Sequence, residues 1–298
     1  MAGIDVQLEP ERSLTHNNAA YWAAFSNDGR QIATASLDNT VKLWNVADGQ
    51  HVGTLKGHGD GVAFVGYLKD GRIVTASLDK SLKIWSAEGG LKSTLTGHQA
   101  DYLTCAAVAR SGTLLASGGF DKTVRLWDAD SGSLAVLTGH EAAVQTVAIS
   151  ADATLVASGG SDRSIRLWDV ESKGMRQVLS GHNAVVEAVA FSPADKVIAS
   201  ADAEGRLRFW DEKGNSRENL ESGAPRLKSL AFSADGRWLA CGGQDGLVRI
   251  LDVKARSLSR VLAAHKNTIY GLAFSPDGKR LASAGFDRTI RIWRFVVA

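Results

Sequence analysis

The sequence predicts an all-β protein made of seven repeated units, each with four short strands. Two observations carry that prediction. Tryptophan recurs at positions 44, 85, 127, 168, 210 and 293, and Leu251 fills the one gap, so the period is 41 or 42 residues throughout. A polar signature recurs in the same phase. An acid stands six positions before each of these residues: Asp38, Asp79, Asp121, Asp162, Glu204, Asp245 and Asp287. Four before the acid lies a small residue: Thr34, Thr75, Ser117, Ser158, Ser200, Cys241 and Ser283. About 28 before Trp44, Trp85, Trp127, Trp168, Trp210 and Trp293 lies a histidine: His16, His58, His98, His140, His182 and His265, with Gly223 in the sixth unit. Self-similarity at such a period marks a repeat architecture.

Each element of a unit follows from its residues, as the fourth unit illustrates. Val144, Val147 and Ile149 belong to one short strand. Residues 150–153 (SADA) make a turn, LVASG is the second strand, SDRS turns again, and IRLW is the third strand. Met175 to Leu179 form the fourth. Gly, Asp, Asn and Ser stand where the chain must reverse. The turns Asn27-Asp28-Gly29, Lys69-Asp70-Gly71, Ala234-Asp235-Gly236 and Pro276-Asp277-Gly278 recur at one phase. The Gly-Gly pairs at 118–119, 159–160 and 242–243 read as turn chemistry at strand ends, and His51, outside the period, as an exposed loop histidine.

Gly-His at 57–58, 97–98, 139–140 and 181–182, with Trp-Asp at 127–128, 168–169 and 210–211, resembles the WD-repeat family of β-propellers. The resemblance covers essentially residues 1–298 and implies a single seven-bladed propeller, with four antiparallel strands per blade around a central channel. The last unit stops at its third strand, Arg291 to Phe295. Residues 6–14 resemble the strand before every other histidine, so they are expected to supply the fourth strand of the last blade and close the ring. Closure hides two sheet edges.

His140, Ser158 and Asp162 have the composition of a hydrolase triad. The same trio repeats at His16/Thr34/Asp38, His58/Thr75/Asp79, His98/Ser117/Asp121 and His265/Ser283/Asp287. An enzyme needs one site, so the repetition points to structure and no catalytic residue is assigned. By the family resemblance, these residues and the tryptophan form a hydrogen-bond chain inside each blade. Each bond nets about 0.5–1.5 kcal/mol, and orphaning a buried member costs about 1–3 kcal/mol. In the fifth unit His182, Ser200 and Trp210 remain, with Glu204 one methylene longer than the usual acid. Blade six, with Gly223, Cys241 and Leu251, is expected to lack the chain.

Charge and cysteine content narrow the function classes. Thirty-four Lys+Arg against 32 Asp+Glu give a net charge of +2, which makes no case for nucleic acid or membrane by charge alone. Two cysteines make no disulfide framework or zinc spacing, and no phosphate-loop, H-E-x-x-H or EF-hand motif is present, so no cofactor or metal is expected. The start MAGIDVQLEPER lacks the basic and apolar stretches of a secretory signal, and no apolar run approaches the roughly 20 residues that span a bilayer. Together these point to the cytoplasm, with the nucleus left open. The family resemblance also includes ubiquitin-ligase receptors that carry Trp-Asp-x-Arg; none of the Trp-Asp pairs here has that Arg.

By the same resemblance, three positions per blade project on the face that holds the His and Asp loops. They place Tyr270 and Phe286 on blade seven, Tyr21 and Leu37 on blade one, Leu78 on blade two, and Tyr102 and Phe120 on blade three. Those blades adjoin across the closure, so the residues form one aromatic arc; Arg226 and Lys228 on blade six give the other side a basic patch. An exposed apolar patch rich in Tyr marks a partner site. Tyr21 and Tyr270 are also placed to flank an inserted cation such as an arginine. The expected function is a non-enzymatic scaffold that binds one or more proteins or peptides on this face, acting as a monomeric propeller. The alternative is a structural subunit of a large assembly, a ribonucleoprotein for example, docking by its rim or the blade-six patch.

Overall fold

The computed structural model describes residues 6–99, 102–211 and 213–297. The first five residues of the polar start lie outside them. Strand β1 (Val6–Thr15) comes first. Blade one contains β2 (Ala20–Phe25), β3 (Gln31–Ser36), β4 (Thr40–Asn45) and β5 (His51–Lys56). Blade two contains β6 (Val62–Tyr67), β7 (Ile73–Ser77), β8 (Ser81–Trp85) and β9 (Leu91–Thr96). Blade three contains β10 (Leu103–Val108), β11 (Leu114–Gly119), β12 (Val124–Asp128) and β13 (Gly132–Leu137). Blade four contains β14 (Val144–Ile149), β15 (Leu155–Gly160), β16 (Ile165–Asp169) and β17 (Gly174–Leu179). Blade five contains β18 (Val186–Phe191), β19 (Ile198–Asp202), β20 (Arg206–Trp210) and β21 (Ser216–Glu221). Blade six contains β22 (Leu227–Phe232), β23 (Trp238–Gly243), β24 (Leu247–Asp252) and β25 (Ser257–Ala263). Blade seven contains β26 (Ile269–Phe274), β27 (Arg280–Gly285) and β28 (Thr289–Val297), and β1 adds to it.

Each blade is a four-stranded antiparallel sheet, and the inner strands β2, β6, β10, β14, β18, β22 and β26 contact one another in a closed cycle. The result is a seven-bladed β-propeller. Among the described residues there is no helix, so none is long and apolar enough to cross a membrane. β1 pairs with β28 from Val6↔Val297 to Thr15↔Thr289, with a bulge between Pro10 and Arg12. Pro10 lacks a backbone donor, so its place at an irregular point of an outer strand is the position where a sheet tolerates proline. Glu9 and Glu11 pair with Arg294 and Arg280, fastening the chain's start to its end.

The core is divided among the seams between blades. Seven apolar clusters each span two neighbouring blades; one joins Leu14, Phe25 and Ile32 to Ala282, Ile290 and Ile292 across the seam between blades seven and one. The in-phase tryptophans fill these seams, with Trp127, Trp168 and Trp210 at 1% exposure. The recurrent Asp-Gly turns use glycine at positive φ, as at Gly29 (70°) and Gly278 (69°), where a side chain would be strained. His51 is exposed but opens strand β5, with its ring 5.2 Å from that of Trp44, so it is not a loop residue.

Candidate functional site

The repeated polar residues meet as a chain within blades one to five and seven. The histidine Nδ1 lies 2.7–2.9 Å from a carboxylate oxygen. Its Nε2 lies 2.7–2.8 Å from the Thr or Ser hydroxyl. The tryptophan Nε1–H donates to that same oxygen at 2.8–3.1 Å. One tautomer satisfies every atom: Trp N–H to hydroxyl oxygen, hydroxyl to Nε2, and Nδ1–H to carboxylate. The hydroxyl oxygens of Thr34, Thr75, Ser117, Ser158, Ser200 and Ser283 belong to residues with 0% exposure. A nucleophile must reach a substrate, whereas these hydroxyls are sealed beneath tryptophan with their bonds already made.

Burial lowers the pKa of His16, His98, His140, His182 and His265, against the opposing pull of the carboxylate. Burial raises Asp38, Asp79, Asp121, Asp162 and Asp287, but hydrogen bonds from the histidine, the following turn and nearby backbone N–H groups outweigh it and hold them low. The neutral imidazole beside an ionised carboxylate is thus the folded form. Burial also pushes the thiols of Cys105 and Cys241 up to about 12, which makes them poor nucleophiles and ligands.

Two blades depart from the expected wiring. In blade five the acid is Asp202, not Glu204: its Oδ2 lies 2.7 Å from His182 Nδ1, and its Oδ1 accepts the Arg206 backbone N–H at 3.0 Å. Glu204 instead pairs with Arg206 at the surface. The equivalent positions in blades three and four explain why. A Cβ on Gly119 would stand 3.2 Å from His98 Nδ1, and one on Gly160 would stand 3.0 Å from His140 Nδ1. A short acid placed there points straight at the ring. The Gly-Gly pairs are thus strand residues closely approached by neighbouring side chains, not turn residues; a Cβ on Gly242 would meet Ile269 Cγ2 at 3.0 Å. Asp202→Ala should destabilise the protein by about 1–3 kcal/mol in chemical denaturation, and Glu204→Ala by about 0.5 kcal/mol at most. The reverse order would restore the regular wiring.

Blade six lacks the histidine and tryptophan, as its sequence implies, but Asp245 is not left alone. Arg249 is 4% exposed, bonds Asp245 Oδ2 at 2.6 Å and reaches the Gly223 carbonyl at 3.3 Å. A guanidinium folded inward occupies the role of the missing imidazole.

Of the aromatic arc, Leu37, Leu78, Phe120 and Phe286 each directly precede the Asp of a polar chain, and Tyr21, Leu78, Tyr102, Phe120 and Tyr270 line the central channel. Tyr102, Phe120 and Phe286 are 44%, 45% and 47% exposed. Tyr102 and Phe120 meet edge to face at 5.8 Å, and Tyr270 lies 6.3 Å from Phe286. Leu37 and Leu78 converge over Gly61, where a Cβ would meet Leu37 Cα at 3.2 Å and Leu78 Cδ1 at 3.4 Å. Tyr21 and Tyr270 stack on each other across the seam, 4.3 Å apart and 8° from parallel. That stack corrects the expectation of a cation between them, because rings in contact leave no room for one.

The basic patch is also not as the sequence suggests. Arg226 and Lys228 both bind Glu187 of blade five: Arg226 Nε and Lys228 Nζ donate at 2.8 and 2.7 Å. The Glu187 side chain is 3% exposed, so two cations share one buried carboxylate. The channel below is a cavity of about 610 Å³, and Tyr21, Leu78, Tyr102, Phe120, Tyr270 and Lys228 line it. Leu37, Phe286 and Arg226 do not line it. Sequence reasoning missed Asp202, Arg249 and the channel aromatic Trp22; it placed Glu187 on the loop face but not its pairing with Arg226 and Lys228. An acid two residues after Ser200, where other units have Gly or Ser, was the available signal for the first.

The WD domain, G-beta repeat, matches residues 8–45, 49–86, 89–128, 131–169, 174–211, 220–252 and 256–294. Individual relatives match over little more than one unit. A Notchless protein homolog of Arabidopsis thaliana is 43% identical over 54 residues, 18% of this chain and 11% of that protein. WD repeat-containing protein 86 of Homo sapiens is 41% identical over 49 residues, 16% of this chain and 13% of its own length. The general transcriptional corepressor TUP1 of Saccharomyces cerevisiae is 41% identical over 44 residues, 15% of this chain and 6% of its own length. The chain thus spans about an eighth or less of these relatives' lengths in the matched region.

Proposed function

Since the chain belongs to the WD-repeat family, we propose that it is a non-enzymatic protein-interaction scaffold whose partner docks on the face carrying the His and Asp loops, through the aromatic arc. One observation carries the reading: Tyr102 and Phe120, which line the channel, and Phe286, 6.3 Å from the channel-lining Tyr270, stay nearly half exposed. Large rings left in water at a concave rim offer apolar area that a partner can bury, and aromatic anchors dominate interface energies. The test is a comparative pull-down with a Tyr102→Ala, Phe120→Ala, Phe286→Ala variant, its fold first checked by thermal melt. A partner bound by the wild type should bind the variant roughly a hundredfold more weakly or worse, since a hot-spot ring contributes about 2 kcal/mol or more. A partner held equally by both would move the site off this arc.

A second reading is favoured by the outer strands. Leu134 and Val136 on β13 and Met175 and Val178 on β17 are exposed on the rims of adjacent blades three and four. They suit a structural subunit docked by its rim.

A further inference from the structure

The channel mouth is built from two unlike halves. Blades seven, one, two and three give it aromatic and aliphatic side chains. Blades five and six give it one buried carboxylate between two cations. We propose that this mouth takes a peptide segment of a partner protein bearing one large apolar side chain, seated in the channel, beside one carboxylate bound by Lys228 and Arg226. The proposal rests on the scaffold reading above and gives its ligand a definite chemistry.

Three features carry it. First, both halves reach one cavity: Tyr21, Tyr102 and Phe120 line it, and so does Lys228. Its roughly 610 Å³ lies within the size range of sites that enclose a ligand group. Second, the lumen beneath the mouth is lopsided. Trp22 and Phe64, with ring centroids 5.7 Å apart, line it from blades one and two, where the matching positions of blades four, five and six carry the smaller Thr146, Ala188 and Ser229. An entering side chain meets aromatic surface from blades one and two and smaller side chains at that level of blades four to six. Third, the charges do not balance. Arg226 and Lys228 against Glu187 leave one positive charge beside the mouth. The Arg226 and Lys228 side chains remain 42% and 24% exposed, whereas Glu187 is covered. An ammonium has three donors, and Glu187 takes one of those of Lys228. A carboxylate arriving from solvent therefore meets available donors and completes a two-to-two arrangement. An arriving lysine or arginine meets the two cations first.

The test is selection of a random dodecapeptide library displayed on phage against the whole protein, followed by fluorescence anisotropy of the selected peptides. The selected sequences should share a Trp, Phe or Leu and an Asp or Glu at a fixed spacing. Replacing that acid by its amide should weaken binding roughly tenfold or more, as expected for a charge-assisted contact. The penalty should shrink in the protein variant Lys228→Gln, which tests the pairing as a double-mutant cycle. The amide swap is made on the peptide, so it reads the contact even if a protein variant folds poorly. Peptides with Lys or Arg in the acid's place, or peptides indifferent to the amide, overturn the charge recognition and leave the scaffold reading standing. A library that yields no peptide sensitive to the Tyr102, Phe120 and Phe286 substitutions overturns both.

Discussion

Deleting residues 1–14 should unfold the propeller rather than trim it. Val6, Leu8 and Leu14 of β1 are 0%, 6% and 4% exposed and lie in the seams on both sides of blade seven. Burying one such side chain stabilises by about 1.5–3 kcal/mol, so three contribute about 5–9 kcal/mol. A native protein has only about 5–15 kcal/mol in total. The deletion would also bare the ladder edge of β28, an open template for another strand. The thermal midpoint should fall by roughly 10 °C or more, or the cooperative transition should vanish. Glu9→Ala with Glu11→Ala is the matching control: it removes the ion pairs with Arg294 and Arg280 but keeps the strand. Such partly exposed pairs contribute only about 0–1 kcal/mol, so this variant should melt close to the wild type. An unchanged midpoint in the deletion would show that the ring does not depend on closure by its N-terminal strand.

Acid should unfold the protein in two stages. His16, His98, His140, His182 and His265 have folded pKa values below the ordinary 6.5, because burial disfavours the imidazolium. Below that value the unfolded chain binds protons that the folded one refuses, so stability rises with pH across the window and is lost as pH falls into it. Each such histidine adds up to about 1.4 kcal/mol per pH unit to the slope. The partner carboxylates Asp38, Asp79, Asp121, Asp162 and Asp287 are held low. Their contribution is complete above the ordinary carboxylate value of about 3.8 and is lost as pH falls further. Both stages have the same sign. Urea midpoints should be level above about pH 7, decline from about pH 6.5 downward, and fall again below about pH 4. A midpoint flat from pH 7 to pH 5 would show that the imidazoles are not held neutral by burial.

The architecture was legible in the sequence because it is written seven times. One His-to-Trp unit is a weak signal, but repetition at 41 or 42 residues leaves a single account of Trp44 through Trp293. The strands of blade four fell where alternation and turn residues put them, with β17 beginning one residue earlier, at Gly174. Residues 6–14 were recognisable as a closing strand because they copy the strand before each other histidine, and β1 runs one residue further, to Thr15. Counting positions failed where chemistry depends on reach. Glu204 occupies the acid's place in the count, yet Asp202 starts from a Cβ already aimed at His182 and so needs only a short side chain.

The sequence by itself determined the repeat, the number of blades and the recurring positions of the polar residues that meet within each blade. Those features are local or periodic, and a period survives being read along a line. Only the tertiary structure decided how residues from neighbouring blades meet. It stacked Tyr21 on Tyr270, brought Leu37 and Leu78 together over Gly61, and placed Glu187 between Arg226 and Lys228, 39 and 41 positions away. The physical reason is that contacts across a seam depend on the rotation between two sheets and on rotamers chosen by packing. Neither has a signature in the order of residues along one strand.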